Sequence, residues 1–305
     1  MQFGIAIPQI WTSPQEEKGV PLPAFLSRAE ALGYHSGWVQ EQIIGAASTL
    51  EPVALLSYAA AATRALRLGT SVMITPLRNP VQLAKSLSTL DYLSGGRLIV
   101  GVGIGGHLKL YPAFGIAPEG RARRFAEGIR VMKRLWTEER VTYDAGFWKL
   151  EGVAMEPKPV QKPHPPIWFG ARQPAALRRA VELGDGWMGA GSSTPAEFTE
   201  QVGQMRALLA EAKRDPATFP ISKRVYLAVD TNKARALERL RGWFDAYYRN
   251  APMAERVCLW GDAQEVAAGL RGFRAAGAEL LLLNPLFDAT HHLEVLAAEV
   301  IPQVG

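Results

Sequence analysis

The sequence has few of the features that accompany disulfide bonds, membrane spans or secretion. Cys258 is the single cysteine among 305 residues, so no internal disulfide can form, and the apolar stretch VCLW around it favours a buried structural thiol. No apolar run reaches the roughly 20 residues of a membrane span. The N-terminal stretch MQFGIAIPQIW lacks the basic region of a secretory signal. These features favour a cytoplasmic enzyme that does not associate with membranes.

Residues arranged for metal or hydrolytic chemistry are also scarce. His291 and His292 are adjacent and would point apart on a helix, so they cannot chelate as an i, i+4 pair can. Neither a Ser/His/Asp triad nor a catalytic pair of carboxylates occurs in convincing spacing. The sequence therefore predicts no metal site and indicates that a bound cofactor carries the chemistry.

Positive charge is in moderate excess. The net charge is +5 and the pI is about 9.3, and much of the excess lies in GRARRFAEGIRVMKRLW. Such a segment is typical of a solvated helix face, and it also favours attraction of an anionic ligand. No recognition motif or aromatic-lined basic groove accompanies the charge, so we expect no nucleic-acid partner.

A glycine motif in LIVGVGIGGH has the spacing of a dinucleotide-binding turn. Gly101, Gly103 and Gly106 fit G-x-G-x-x-G, but that turn must lead directly into a helix whose N-terminus faces the phosphates. The downstream stretch HLKLYPAFGIAPEG carries the breakers of a loop, and the next helical pattern begins near Arg121. The context therefore disfavours an NAD-binding Rossmann fold.

Short apolar runs alternate with helical patterns along the chain. Two helices begin with capping boxes, at Thr194 with Glu197 and at Asp262 with Glu265. Because parallel strands need helical crossovers, and repeated right-handed crossovers can close a sheet, the pattern predicts an α/β fold of the (β/α)8 barrel type. An open doubly wound sheet is the alternative. The predicted strands are Phe3 to Ile7, Ser36 to Gln40, Leu66 to Ile74, Arg97 to Ile104, Ile167 to Ala171, Gly186 to Ala190, Val225 to Val229 and Glu279 to Asn284.

One segment breaks the alternation. Residues 138–166 follow the fourth helix and show hairpin character around Asp144-Ala145-Gly146. We interpret residues 1–305 as a single barrel domain with an insertion over roughly residues 138–166.

The active site of such a barrel lies where the strands end. This rule selects side chains that are mostly small, amidic or aromatic, with few charges. After the fifth strand, the N–H groups of Ala171 to Gln173 would either face an anion at a helix N-terminus or form an ordinary loop. The selected positions are Pro8, Gln9, residues 40–42, 71–75, 104–107, 170–173 and 187–191, and Asn284.

Several stretches together resemble the bacterial luciferase-like family of flavin and deazaflavin oxidoreductases. They are LGTSVMITPLRNPVQLAKSLSTLDYLSGGRLIVGVGIGG, RFAEGIRVMKRLWT, PPIWFGA, RRAVELGDGW and LLLNPL. The resemblance extends over nearly the whole chain, is most specific from Leu68 to Gly106, and implies a luciferase-like TIM barrel with an insertion after the fourth helix.

The resemblance also implies a cofactor, either the deazaflavin coenzyme F420 or FMN, across the barrel mouth. Ser71 and Val72 match residues that back the cofactor ring, often through a non-prolyl cis peptide. The turn after the fourth strand gives the ring close access, residues 170–173 match a phosphate loop, and Trp187 with its neighbours matches a wall beside the ring. The implied cofactor-binding residues are Ser71, Val72, Ile104, Gly105, Gly106, Gly170, Ala171, Arg172, Gln173 and Trp187.

The sequence departs from the family pattern at the positions that assist proton transfer. Many members have Glu-His or Asp-His after the second strand, but this chain has Glu41-Gln42, and an amide is not an acid or base near neutral pH. Some deazaflavin members have an acid after the glycines of the fourth strand, where this chain has Gly106 and His107. Glu41, Gln42 and His107 are therefore the catalytic candidates.

The resulting hypothesis is hydride transfer from reduced F420 to a small organic substrate. The substrate is expected beneath residues 147–155, with Trp11, Trp38 and Trp148 as candidate walls. The alternatives are an FMN-dependent luciferase-like monooxygenase and a homologue that binds the flavin without turnover. A homodimer is expected from the resemblance.

Overall fold

Eight parallel strands close into the predicted barrel. The computed structural model describes residues 1–12, 21–106 and 108–305. Each strand pairs with its sequence neighbour from β1 to β8, β8 pairs with β1, and the β4–β5 pairing joins the two halves. The strands are β1 Gln2–Ala6, β2 Ser36–Val39, β3 Arg67–Thr70, β4 Leu98–Gly103, β5 Ile167–Gly170, β6 Gly186–Gly189, β7 Ile221–Val229 and β8 Leu280–Pro285.

Helices connect the strands and cover the outside of the barrel. Both predicted capping boxes are present, at Thr194 with Glu197 and at Asp262 with Glu265. None of the helices that the structure describes is long and apolar enough to cross a membrane. They are α1 Leu22–Ala31, α2 Pro52–Ala62, α3 Pro80–Leu93, α4 Arg121–Thr137, α5 Pro174–Leu183, α6 Pro195–Glu211, α7 Lys233–Tyr248, α8 Met253–Val257, α9 Ala263–Ala276, α10 Ala289–Val295 and α11 Ile301–Val304.

Two tryptophans fill part of the barrel interior. Trp38 of β2 and Trp168 of β5 are buried, and their ring centroids lie 5.6 Å apart. They pack with Met188, Leu282 and neighbouring apolar residues of the interior cluster. A larger apolar core lies between the strands and the surrounding helices. Space for ligands therefore lies above this packing, at the carboxyl ends of the strands.

The segment between α4 and β5 contains the predicted hairpin. Val141–Asp144 and Lys149–Val153 pair antiparallel around Gly146, whose φ of +106° suits glycine. The Arg124 guanidinium of α4 lies over the ring of Trp148, 4.3 Å from its centroid. The hairpin thus packs against the outer helix α4.

Strand β7 begins four residues earlier than the sequence indicated. The prediction started at Val225, whereas the observed strand, ISKRVYLAV, starts at Ile221 and is buried along nearly its whole length. Lys223 and Arg224 therefore lie within a central strand, with adjacent side chains on opposite faces of the sheet.

Candidate active site

Two connected cavities occupy the barrel mouth. The large cavity, about 730 Å³, lies beside β1, β2 and β8, and the small cavity, about 380 Å³, lies beside β4, β5 and β6. Ser71 and Arg224 line both. A ligand that spans the mouth would therefore pass these two residues.

The wall between the cavities contains a non-prolyl cis peptide. This bond joins Ser71 to Val72, at the end of β3, as the family resemblance implied. A Cβ added at Gly103 would lie 2.7 Å from the Val72 side chain, and a Cβ added at Gly170 would lie 2.9 Å from it. The two glycines thus make room for Val72 between β4 and β5.

The small cavity is positively charged. Arg172, Arg179 and Arg224 line it, and no carboxylate occurs among the described lining residues. Arg172 Nη1 donates to Ser192 Oγ at 3.1 Å, which ties the β5 loop to the β6 loop. The α5 N-terminus lies beside these loops, and its cap residue, Gln173, makes no side-chain capping bond. Free N–H groups and arginines together favour a phosphate or another anion.

Arg224 lies at the floor where the cavities meet. Its Nε donates to Asn284 Oδ1 at 2.8 Å, its Nη1 to the Ser71 carbonyl at 3.0 Å, and its Nη2 to Gln40 Oε1. Gln40 is held in turn, because its main-chain N–H donates to Gln9 Oε1 at 2.8 Å. The ends of β1, β2, β3 and β8 thus converge on one side chain of β7.

Comparisons with known proteins agree with this architecture. A family model described as luciferase-like monooxygenase matches residues 1–280. The chain belongs to this luciferase-like family. An F420-dependent glucose-6-phosphate dehydrogenase of Kineococcus radiotolerans is 30% identical over an alignment that covers 92% of each chain. The fold is that of a solved F420-dependent secondary alcohol dehydrogenase, with a TM-score of 0.85, 22% identity, and coverage of 100% of this chain and 99% of that one.

A solved monooxygenase from Streptomyces bottropensis is also similar. Its TM-score is 0.84 at 26% identity, and the whole length of both chains is covered. The luciferase-like fold expected from the sequence is therefore confirmed.

Nine of the ten cofactor-binding candidates line the small cavity of this luciferase-like barrel. Ile104, Gly105 and Gly106 form its edge after β4, and residues 170–173 form the opposite edge. Among the described residues, no bulky side chain closes the mouth between Ser71 and Gly105, since both line open space. The residues are Ser71, Val72, Ile104, Gly105, Gly106, Gly170, Ala171, Arg172 and Gln173.

Trp187 is the exception, because it lines neither cavity. Its side chain is fully buried on the outer face of β6, where it stacks on Phe198 at 5.5 Å. Its Nε1 donates to the Ala171 carbonyl at 2.9 Å, so Trp187 supports the β5 loop from beneath. Met188, the next residue, points inward and lines the small cavity.

The catalytic candidates after β2 do not line either cavity. Glu41 is buried and accepts hydrogen bonds from the Ile74 main chain and from Arg78, an ion pair that leaves it no exposed oxygen for a substrate. Gln42 accepts a long hydrogen bond of 3.4 Å from Thr49 Oγ1. Glu41 thus contacts Arg78 and the Ile74 main chain and lines neither cavity, and its catalytic role stays a prediction. His107 lies outside the described residues.

The large cavity is mainly apolar. Trp11 and Trp38, two of the tryptophans predicted as substrate walls, line it together with Trp243 of α7. Trp148 and the rest of residues 147–155 are not among its lining residues, so the substrate site predicted beneath that segment does not correspond to this cavity. Gln9, Gln40 and Asn284 provide its polar floor beside Arg224.

Arg224 and Lys223 are the functional candidates that the sequence reasoning missed. Lys223 points outward from β7, beneath the β6 loop, and donates to the carbonyls of Ala190 and, at 2.9 Å, Ser193. Burial between Phe198 and Phe273 lowers the pKa of this lysine to about 7. The signal in the sequence was the pair of basic residues, Lys223 and Arg224, within a mainly apolar run.

Proposed function

We propose that this luciferase-like protein is an F420-dependent oxidoreductase that transfers hydride from the reduced deazaflavin to a small organic substrate. The observation that carries the proposal is the pair of connected cavities. The small one is lined by arginines and glycine-rich turns, and the large one is apolar with an amide floor. The F420-dependent relative and structural neighbour support the same cofactor.

The residues of the small cavity fit such a cofactor. Its phosphate would lie among Arg172, Arg179 and the main-chain N–H groups at the start of α5, where the positive charge has no carboxylate partner among the described lining residues. Val72 and the turn of Gly105 and Gly106 would form the surface for a flat ring. When bound, reduced F420 supplies a hydride, and the protein supplies orientation and electrostatics.

The proton that accompanies hydride transfer needs a separate donor. Glu41 is held by Arg78 and Ile74, and Gln42 carries no titratable proton. His107 directly follows Gly106, which lines the small cavity. We therefore propose His107 as the group that moves the proton.

Titration of the purified protein with F420 and with FMN tests the cofactor assignment. We expect micromolar affinity for F420 and weaker affinity for FMN. Cofactor fluorescence measures the binding. Arg179→Met should weaken F420 binding, whereas Arg178→Met should not, because Arg178 is exposed and pairs with Glu211 outside the cavity. Absence of F420 binding at micromolar concentrations would reject the proposal.

An FMN-dependent monooxygenase is the second candidate, favoured by the similarity to the Streptomyces monooxygenase. Reduced FMN can react with oxygen, whereas a deazaflavin transfers hydride. Tight FMN binding, with oxygen consumption on reduction, would therefore select this candidate. A homologue that binds without turnover is the third, favoured by the sequestered Glu41. Stopped-flow mixing of reduced F420 complex with enones and quinones would then show binding without cofactor oxidation.

We also propose a homodimer in the cytoplasm. Tyr58 on α2 and Tyr92 and Leu93 on α3 are 47%, 62% and 61% exposed, and these two helices are neighbours. An apolar surface of this kind favours association between copies. Sedimentation of wild type and Leu93→Glu tests it, since the added charge should shift the dimer toward monomer. The buried Cys258 is compatible with a reducing compartment.

A further inference from the structure

Arg224 is a buried cation that has no charged partner among the described residues. Only 8% of the residue is exposed, and no carboxylate of the described residues lies within ion-pairing distance of its guanidinium. A buried charge is costly unless it is paired, and arginine does not lose its proton in proteins. The fold therefore maintains a positive charge at the floor of the cavities.

The hydrogen bonds of Arg224 leave it two free donors. A guanidinium has five N–H groups, and three of them are used by the neutral oxygens of Asn284, Ser71 and Gln40. One N–H on each Nη atom has no acceptor among the described residues. A guanidinium with one free N–H on each Nη atom can still donate two charge-assisted hydrogen bonds to an oxyanion.

The two side chains that accept hydrogen bonds from Arg224 assign this charge to the large cavity. Gln40 and Asn284, which orient the guanidinium, line only that cavity. The small cavity has Arg172 and Arg179 of its own for an anion. Among the described residues that line the large cavity, Arg224 is the one arginine or lysine, and the carboxylate of Asp288 is neutralised by Arg239, with 3.0 Å between Oδ1 and Nη2.

We infer that the large cavity binds organic anions, with the carboxylate or another oxyanion on Arg224 and an apolar body against Trp38, Leu282 and Phe287. The inference rests on the proposed function in one respect, namely that the large cavity is the substrate site. It goes further by giving the chemical class of the substrate. Neutral molecules of the same shape should bind more weakly, because they leave the buried charge unpaired.

The test compares benzoate with benzamide on the cofactor-free protein. Trp11, Trp38 and Trp243 line the cavity, so tryptophan fluorescence reports occupancy. We expect wild type to bind benzoate at least tenfold more tightly than benzamide. Arg224→Met should remove this preference by weakening benzoate alone, Arg224→Lys should restore part of it, and Arg179→Met should leave it unchanged. If Arg224→Met does not fold, Arg224→Gln serves as the neutral variant.

Equal affinity of wild type and the neutral variant for benzoate would overturn the inference. If that variant also loses affinity for reduced F420, the charge belongs to the cofactor site. A separate F420 titration distinguishes failure of this inference from failure of the proposed function. F420 binding without benzoate binding rejects this inference alone. Benzoate binding without F420 or FMN binding would reject the proposed function alone.

Discussion

The carboxylate of Glu41 accepts a hydrogen bond from Arg78 Nε at 2.9 Å and another from the main-chain N–H of Ile74. The loop after β2 is thereby joined to the segment after β3, which contains Ser71 and Val72. Arg78 also bonds Glu51 at the start of α2, with 2.7 Å between Nη2 and Oε1. The buried ion pair therefore holds the wall between the cavities in place.

Glu41→Gln should destabilise the protein by about 2 kcal/mol. Removing one member of a buried ion pair commonly costs more, but Arg78 is partly exposed and keeps Glu51 as a partner. Urea unfolding measures the change. Glu294→Gln is the control, since its pair with Arg28 is exposed and its loss should change the free energy of unfolding far less. Native stability with complete loss of hydride transfer would instead contradict a purely structural role for Glu41.

Gly101 and Gly106 should respond to alanine in opposite ways. A Cβ at Gly101 would overlap the Thr70 carbonyl oxygen on β3, so Gly101→Ala should lower stability by roughly 1–3 kcal/mol or more. A Cβ at Gly106 meets nothing within 4 Å and points into open space at the cavity edge. Gly106→Ala should therefore retain stability while weakening F420 binding. Thermal unfolding and F420 titration distinguish the two, and equal losses of stability would contradict the prediction.

The charge of Arg179 should contribute to cofactor binding in a salt-dependent way. Arg179 is half-buried at the small cavity, where burial lowers its pKa without neutralising it. Arg179→Met should weaken F420 binding about tenfold, in the range of one charge-assisted hydrogen bond. The salt dependence of the wild-type affinity should also decrease in this variant. An unchanged affinity together with an unchanged salt dependence would place the cofactor phosphate elsewhere.

Periodicity predicted the barrel because each strand is an apolar run bounded by turns. It did not predict the beginning of β7, since Lys223 and Arg224 interrupt the apolar run of ISKRVYLAV. Both charges are accommodated by long-range partners, with Arg224 reaching Ser71, 153 residues away in sequence. Such partners are set by the closed barrel and cannot be read from local spacing.

The orientation of individual side chains at the site was hard to predict for similar physical reasons. Strand alternation places Trp187 and Met188 on opposite faces, so one of them had to point away from the mouth, and the interior cluster shows that Met188 is the inward one. Glu41 stands at a strand end as expected, but its pairing with Arg78 depends on the loop after β3. Position along the chain therefore predicted which residues lie at the barrel mouth. The orientation and partners of their side chains depend on tertiary contacts.

Lys223 should make stability depend on pH between about 7 and 10. Its pKa is about 7 in the folded protein and about 10.4 in an unfolded chain, so in this window the unfolded state binds more protons. Stability must then rise with pH, by at most about 1.4 kcal/mol per unit from this group. The neutral amine still has two N–H donors for the carbonyls of Ala190 and Ser193.

Urea unfolding at pH 6.5, 7.5, 8.5 and 9.5 measures this dependence on Lys223. In Lys223→Met, the increase of stability with pH should disappear because methionine does not titrate. Lys149→Met should keep it, since Lys149 is exposed on the hairpin and pairs with Glu151 at the surface. The β6 loop contributes Gly191 and Ser192 to the small cavity, so loss of its support in Lys223→Met should also weaken F420 binding at every pH. A rise with pH in Lys223→Met equal to that of wild type would mean that Lys223 stays charged in the folded protein.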